Sequence, residues 1–213
     1  MSTPRVKLND KVPDNLYFSV LNKGEDIPHE VSSAEIFKGK KVVIFGIPGA
    51  FTSVCSSKHL PQFIDKSKDL KAKGVDTIAC TAVNDSYVLR EWAETFKNSS
   101  EILMLGDAEM SFHGYFGLLQ KIPLIGSRGQ RFSMYVDDGV IKVLNIEEPG
   151  PLSYKISGPE HMLKDLKNLG FTEKVVTKIV KVVRQHEIKH EIGVENMDKE
   201  NNPSKKKWTW VDC

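Results

Sequence analysis

Along the chain, short continuous apolar runs alternate with longer stretches whose apolar residues recur at helical spacing. Val42 to Ile47 is a continuous apolar run, as expected of a central strand buried on both faces. Ser56 to Lys73 carries Leu60, Phe63, Ile64 and Leu70 among lysines and aspartates, which predicts a helix, with Gly74 just past its end. Val75 to Val83 reads as a second buried strand, Asp85 to Lys97 as a helix and Ile102 to Leu105 as a short third strand. An early strand is predicted where apolar and polar residues alternate from Leu16 to Leu21. Two β-rich runs, Phe132 to Val136 and Val140 to Ile146, flank Asp137-Asp138-Gly139, a strong hairpin signal. Pro159 to Leu169 closes the series as a helix, followed by Gly170. Strands alternating with helices in this order predict an α/β fold with crossovers and an added hairpin, in one domain over residues 1–170.

After Gly170 the pattern changes, so residues 171–213 read as a C-terminal extension. Val175, Val176, Ile179, Val180 and Val183 alternate with Lys174, Lys178, Lys181 and Arg184, an amphipathic helix pattern over about 173–190. A polar tail follows that carries Lys205-Lys206-Lys207-Trp208-Thr209-Trp210 and is expected to be mobile and solvated.

Composition narrows the class. The 213 residues are 40% apolar, enough for one sizeable core, and the net charge of +2 asks for no nucleic acid. No apolar run approaches the ~20 residues of a membrane span, and the first residues lack a signal peptide's apolar region. Three widely spaced cysteines, Cys55, Cys80 and Cys213, do not form a secreted disulfide framework, and Cys55 is followed by Ser56-Ser57-Lys58 rather than a second cysteine. A reducing compartment with one working thiol fits best, the cytoplasm or, where a targeting segment has been removed, an organelle, and no metal or other cofactor is expected.

Cys55 is the informative one. It sits where the buried strand hands over, through Pro48-Gly49-Ala50-Phe51-Thr52-Ser53-Val54, to a predicted helix N-terminus. Exposed N–H groups and the helix dipole favour negative charge there, and the thiolate is the nucleophile. The string PGAFTSVCSSKHLPQF resembles the active-site loop of peroxiredoxins, in particular their type-5 (type II) branch. Ile78 to Asp85, Glu91-Trp92 and Val143 to Glu147 resemble further parts of that family. The resemblance implies a thioredoxin-like fold, a mixed sheet flanked by helices. It also implies a thiol peroxidase that reduces hydrogen peroxide and small alkyl hydroperoxides through a Cys55 sulfenic acid, re-reduced by an external thiol, either glutathione with glutaredoxin or thioredoxin. A homodimer is implied as well.

A peroxide needs a thiolate and donors aimed at its two oxygens. The sequence offers Cys55, the Thr52 hydroxyl and the backbone N–H groups of Val54 and Cys55. Spacing does not supply a cation; the resemblance assigns Arg131, in Arg131-Phe132-Ser133-Met134, and gives Pro48 the task of shielding the thiolate. Ser53 stands where the family often has proline. Tyr154 stands where many animal relatives carry a resolving cysteine, so a one-cysteine cycle is expected. Cys80, in an apolar strand, is expected to be buried and inert, and Cys213 to be a poor partner because closing a tail costs entropy.

Other signals are weaker. His186-Glu187-Ile188-Lys189-His190 has the His-Glu-x-x-His zinc pattern, but no domain remains around it to form a cleft. His59, a turn after Cys55, suits a packing or solvated role better than that of a hydrolase base. Gly46-x-x-Gly49 lacks the rest of a phosphate loop. The alternatives to a peroxidase are a redox sensor or holdase that signals through Cys55, and a cysteine hydrolase.

Overall fold

The computed structural model describes residues 5–170. The predicted helix over 173–190, the His186–His190 motif, the tryptophan tail and Cys213 lie outside them. Residues up to Leu166 form one compact unit.

Its centre is a seven-stranded mixed sheet in the order β2-β1-β5-β4-β3-β8-β9. The strands are β1 (Tyr17–Val20), β2 (His29–Ser32), β3 (Lys41–Gly46), β4 (Thr77–Ala82), β5 (Leu103–Gly106), β8 (Phe132–Asp137) and β9 (Val140–Ile146). β3, β4 and β5 are parallel, and the remaining strands join antiparallel on both sides. β3 is central, as its unbroken apolar run requires, and Val42 to Phe45 are fully buried. The fold is thioredoxin-like.

Cross-strand partners share a face of the sheet, which sorts the two cores. Ile44, paired with Ala79 and Met134, belongs to a cluster with Leu105, Phe112, Phe132 and Phe37. Phe112 and Phe37 come from the short helices α5 (Ser111–Tyr115) and α1 (Ser33–Phe37). Phe45, paired with Cys80 and Ser133, faces the other way and stacks on Phe63 of α2 (Leu60–Asp65), ring centroids 3.9 Å apart. Gly46 keeps the first core closed: a Cβ there would lie 2.0 Å from Cε1 of Phe132.

Several elements differ from the sequence reading. The helix predicted from Ser56 to Lys73 is a π-helical turn, Cys55–His59, followed by α2 and, after a break at Lys66, by α3 (Ser67–Ala72). Pro61 has no N–H to give to the preceding turn, and the Leu60 N–H reaches back to the Cys55 carbonyl, five residues away. α4 (Ser86–Glu94) is shorter than predicted, capped by the Asp85 carboxylate accepting from the Val88 N–H. The hairpin turn is two residues, Asp138-Gly139, both with positive φ (46° and 75°), the geometry that Asp-Gly favours. The closing helix, α6, spans 159–170. A separate hairpin, β6 (Leu119–Ile122) with β7 (Gly126–Gly129), had no counterpart in the sequence reading, nor had β2, α1 or α5. No helix among the described residues is long and apolar enough to cross a membrane.

Candidate active site

β3 ends at Gly46, and the Ile47 N–H bonds the Thr81 carbonyl on β4, which carries the chain to the sheet edge before Pro48 turns it. Pro48 is buried within this turn. The Ala50 N–H donates to Asn84 Oδ1 (3.0 Å), the Thr52 hydroxyl donates to the Gly49 carbonyl (2.8 Å), and Phe51 holds φ 59°. The helical run begins at Ser53, so the Val54 and Cys55 N–H groups lie in its first turn. Cys55 is fully buried at the start of the π-helical turn. Ser56 beside it accepts from Trp92 Nε1 of α4 (3.0 Å), which fixes the turn against the next crossover.

Arg131, 76 residues further on, enters from the start of β8 and is 1% exposed. Its guanidinium is held on every side: Nε donates to the Ser153 carbonyl (2.9 Å), Nη2 to the Pro151 carbonyl (2.9 Å), Nη1 to His59 Nδ1 (3.1 Å) and to Cys55 Sγ (3.5 Å). Arginine only donates, so His59 Nδ1 is an acceptor and the ring proton sits on Nε2, where it meets the Ser157 carbonyl (3.1 Å). Burial, with the charge of Arg131 second, pushes His59 down to about 3, so the ring is neutral. The Tyr154 ring lies edge-on to His59 and 5.8 Å under the guanidinium. Its hydroxyl donates to Gln62 Oε1 (2.5 Å), and burial pushes the phenol up to about 12.

The structure thus brings Cys55 and Arg131 together. Thr52 lies in the same loop with its hydroxyl proton turned to Gly49. Cys80 is buried on β4, its thiol raised well above the usual range by burial and then by the charge of Cys55. His59 is a packed, hydrogen-bonded residue and not a solvated one. The residues that sequence reasoning missed here are Asn84, Pro151, Ser153 and Ser157, which act through backbone carbonyls or a single side-chain amide and so leave no pattern in a sequence, and Glu147, whose carboxylate accepts from the Lys155, Ile156 and Ser157 N–H groups.

A second buried pair lies on the opposite core: Asp107 Oδ2 bonds His113 Nδ1 (2.7 Å). Burial alone would raise Asp107, but the His113 side chain and the backbone N–H groups of His113 and Phe112 outweigh it and lower its pKa. A groove of about 670 Å³ along β4 and β5, lined by Lys71, Arg90 and Glu101 among others, includes none of the site residues. Among the described residues no group of three or more His, Cys, Asp or Glu side chains is placed to hold a metal ion.

Residues 7–158 match the Redoxin family. Peroxiredoxin-2E-2, chloroplastic, of Oryza sativa subsp. japonica is 41% identical over 166 residues, 76% of this chain and 72% of that protein. Peroxiredoxin-2C of the same organism is 39% identical over 165 residues, 76% of this chain and 98% of that protein. Among solved structures, reduced Prx3 of Vibrio vulnificus in complex with H2O2 is 40% identical at TM-score 0.69, covering 76% of this chain and 99% of that one. A thioredoxin-like sheet with a buried cysteine at a strand-to-helix turn, an arginine on its sulfur and relatives of this closeness make the chain a thiol peroxidase of the peroxiredoxin family.

Proposed function

We propose that this peroxiredoxin reduces hydrogen peroxide and small alkyl hydroperoxides at Cys55. The contact of Arg131 Nη1 with Cys55 Sγ at 3.5 Å carries the reading. The Cys55 thiolate attacks one peroxide oxygen, the O–O bond breaks, and the departing oxygen takes a proton to leave as water or alcohol. Cys55 becomes a sulfenic acid. Arg131 and the Val54 and Cys55 N–H groups stabilise the charge that moves from sulfur to the leaving oxygen. Thr52 orients the peroxide, and Pro48 shields the sulfur from water.

An external thiol then attacks the sulfenic sulfur, releasing water and leaving a mixed disulfide, and a second thiol frees Cys55. Glutathione with glutaredoxin, or thioredoxin, fills that role in our reading. The type-5, one-cysteine assignment is supported by Tyr154 in the place of a resolving cysteine and by the burial of Cys80. A homodimer is supported by exposed apolar side chains on three loops: Phe51 (61% exposed) in the Cys55 loop, Leu152 (69%) in the segment that holds Arg131, and Leu124 (105%) at the tip of the β6–β7 hairpin. The lone working thiol assigns a reducing compartment, the cytoplasm, with chloroplast and mitochondrion, after which relatives are named, as the alternatives.

Steady-state peroxide consumption with glutathione and glutaredoxin, and separately with thioredoxin, tests the proposal. Consumption in proportion to added reductant is expected. A protein that is oxidised once and never turned over would instead be a redox sensor.

A further inference from the structure

Arg131 is buried and has no acceptor of its own, so the direction of its guanidinium is set by the acceptors around it. Two of these, the Pro151 and Ser153 carbonyls, come from one segment, residues 151–157. The third, His59 Nδ1, is itself fixed because the opposite ring nitrogen donates to the Ser157 carbonyl of the same segment. The segment is neither helix nor strand. A regular ladder does not hold it in place, so something else must.

Glu147 does so. Its Oε1 accepts from the backbone N–H groups of Lys155 (2.6 Å), Ile156 (2.7 Å) and Ser157 (2.9 Å) and from the Ser157 hydroxyl (2.9 Å), and Oε2 accepts from the Ser153 hydroxyl (3.3 Å). Successive N–H groups converging on one oxygen make an anion-binding nest. The backbone of Glu147 is anchored too: its N–H donates to the Arg131 carbonyl (2.9 Å), and its carbonyl accepts from Gln130 Nε2 (2.6 Å). A closed circuit results, from Arg131 backbone to Glu147 backbone, through the carboxylate to the loop, and back to the guanidinium.

We propose that Glu147 is a positioning residue of the peroxidase site, its carboxylate locking the 151–157 loop whose carbonyls aim Arg131 at Cys55. This rests on the peroxidase reading above. Burial would raise the Glu147 pKa, but the Ser157, Lys155 and Ile156 N–H groups and the Ser157 hydroxyl outweigh it, so the group is held below the usual range and stays charged at neutral pH.

Charge and position make opposite demands, which gives a clean test. The Glu147 charge reaches His59, which shares Arg131 Nη1 with Cys55, and a carboxylate in the same site disfavours a second negative charge, so on charge alone Glu147→Gln would speed reactions of Cys55. If the carboxylate acts by position, the same change loosens the loop and slows oxidation. We expect Glu147→Gln to lower the single-turnover rate with hydrogen peroxide by about ten-fold or more, the scale on which outer hydrogen-bond partners act. Alkylation by iodoacetamide, which needs the thiolate but no donors on peroxide oxygens, should fall less, so the ratio of the two rates is the readout. Ser157→Ala, which removes one hydroxyl donor and leaves the N–H nest, should move that ratio in the same direction by a smaller factor. A folded Glu147→Gln protein that oxidises at or above the parent rate would overturn the proposal. Should Glu147→Gln not fold, an unchanged rate ratio in both Ser157→Ala and Ser153→Ala would overturn it equally. Failure of the peroxidase reading itself would show differently, as absence of peroxide oxidation in the parent protein.

Discussion

His59 stays neutral in the folded protein because burial strips its solvent and Arg131 holds a positive charge at its Nδ1. In the unfolded chain it titrates near the usual ~6.5. A folded pKa lowered to about 3 means that unfolding takes up a proton between those values. The stability due to the neutral ring is therefore complete above pH ~6.5 and is lost as pH falls toward ~3, at up to about 1.4 kcal/mol per pH unit. His59→Asn should flatten that slope between pH 6 and 4 in denaturant titrations, whatever the substitution costs at pH 7. Equal slopes would show that the buried ring accepts a proton. At the sulfur, Cys55→Ser should abolish peroxide turnover while Cys80→Ser leaves most of it; substantial consumption by the Cys55→Ser protein would falsify the assignment. Arg131→Met removes the donor placed on the sulfur and should slow oxidation by about 10²–10³-fold in stopped-flow traces, the usual cost of one such donor. The sequence made Cys55 legible, because a Pro/Gly turn between an apolar run and a helix is a local signal. Arg131 came only from family resemblance, since the contact closes over 76 residues. Glu147 was visible only as one polar residue after a strand; nothing local says that three N–H groups will turn toward it.

At the scale of elements, the apolar runs and the Asp-Gly turn were read correctly, while extents and pairings set by neighbours were not. β3, β4, β8 and β9 follow from apolar runs and an Asp-Gly turn. The β6–β7 hairpin was missed because both strands are only four residues long and Gly126–Gly129 is polar and glycine-rich, so their pairing depends on surroundings: the Gln130 N–H on the Leu118 carbonyl and the Gln120 amide on the Gly129 carbonyl. The long helix after Cys55 was over-extended because periodicity ignores a proline's missing donor; Pro61 and the bond from the Leu60 N–H to the Cys55 carbonyl produce the wider turn that carries the cysteine. Gly46 joins the two element sets. Gly46→Ala would drive a methyl into the Phe132 ring, at a cost of about 1–3 kcal/mol or more. Phe132 follows Arg131 directly, so the same variant should lower both the unfolding midpoint and the single-turnover rate. A lower midpoint with an unchanged rate would show that the ring shifts without moving its neighbour.

At the scale of the whole molecule, Cys55, Arg131 and the loop that holds them all lie within residues 48–157. A protein ending at Gly170 should therefore keep its intrinsic rate of oxidation by peroxide, and a collapse of that rate would assign residues 171–213 to the active site. The exposed Phe51, Leu124 and Leu152 lead us to expect a dimer in sedimentation, weakened by Leu124→Glu; each such side chain left in water forgoes about 1.5–3 kcal/mol. A monomer at every concentration would remove that part of the proposal.

What the sequence determined by itself is whatever short range encodes: the apolar runs of the central strands, the Asp-Gly hairpin, and a cysteine placed at a strand-to-helix turn. Tertiary structure decided the rest, because the remaining interactions are long-range and mostly backbone. Which strand stands beside β3, which carbonyls receive the Arg131 guanidinium, which nitrogen of His59 carries the proton, and where the Glu147 carboxylate finds its donors all depend on chain segments brought together only when the sheet is complete. A buried cation or carboxylate has no energetic reason to sit where it does until its partners are present, and for that physical reason this site could be only half read before the fold was known.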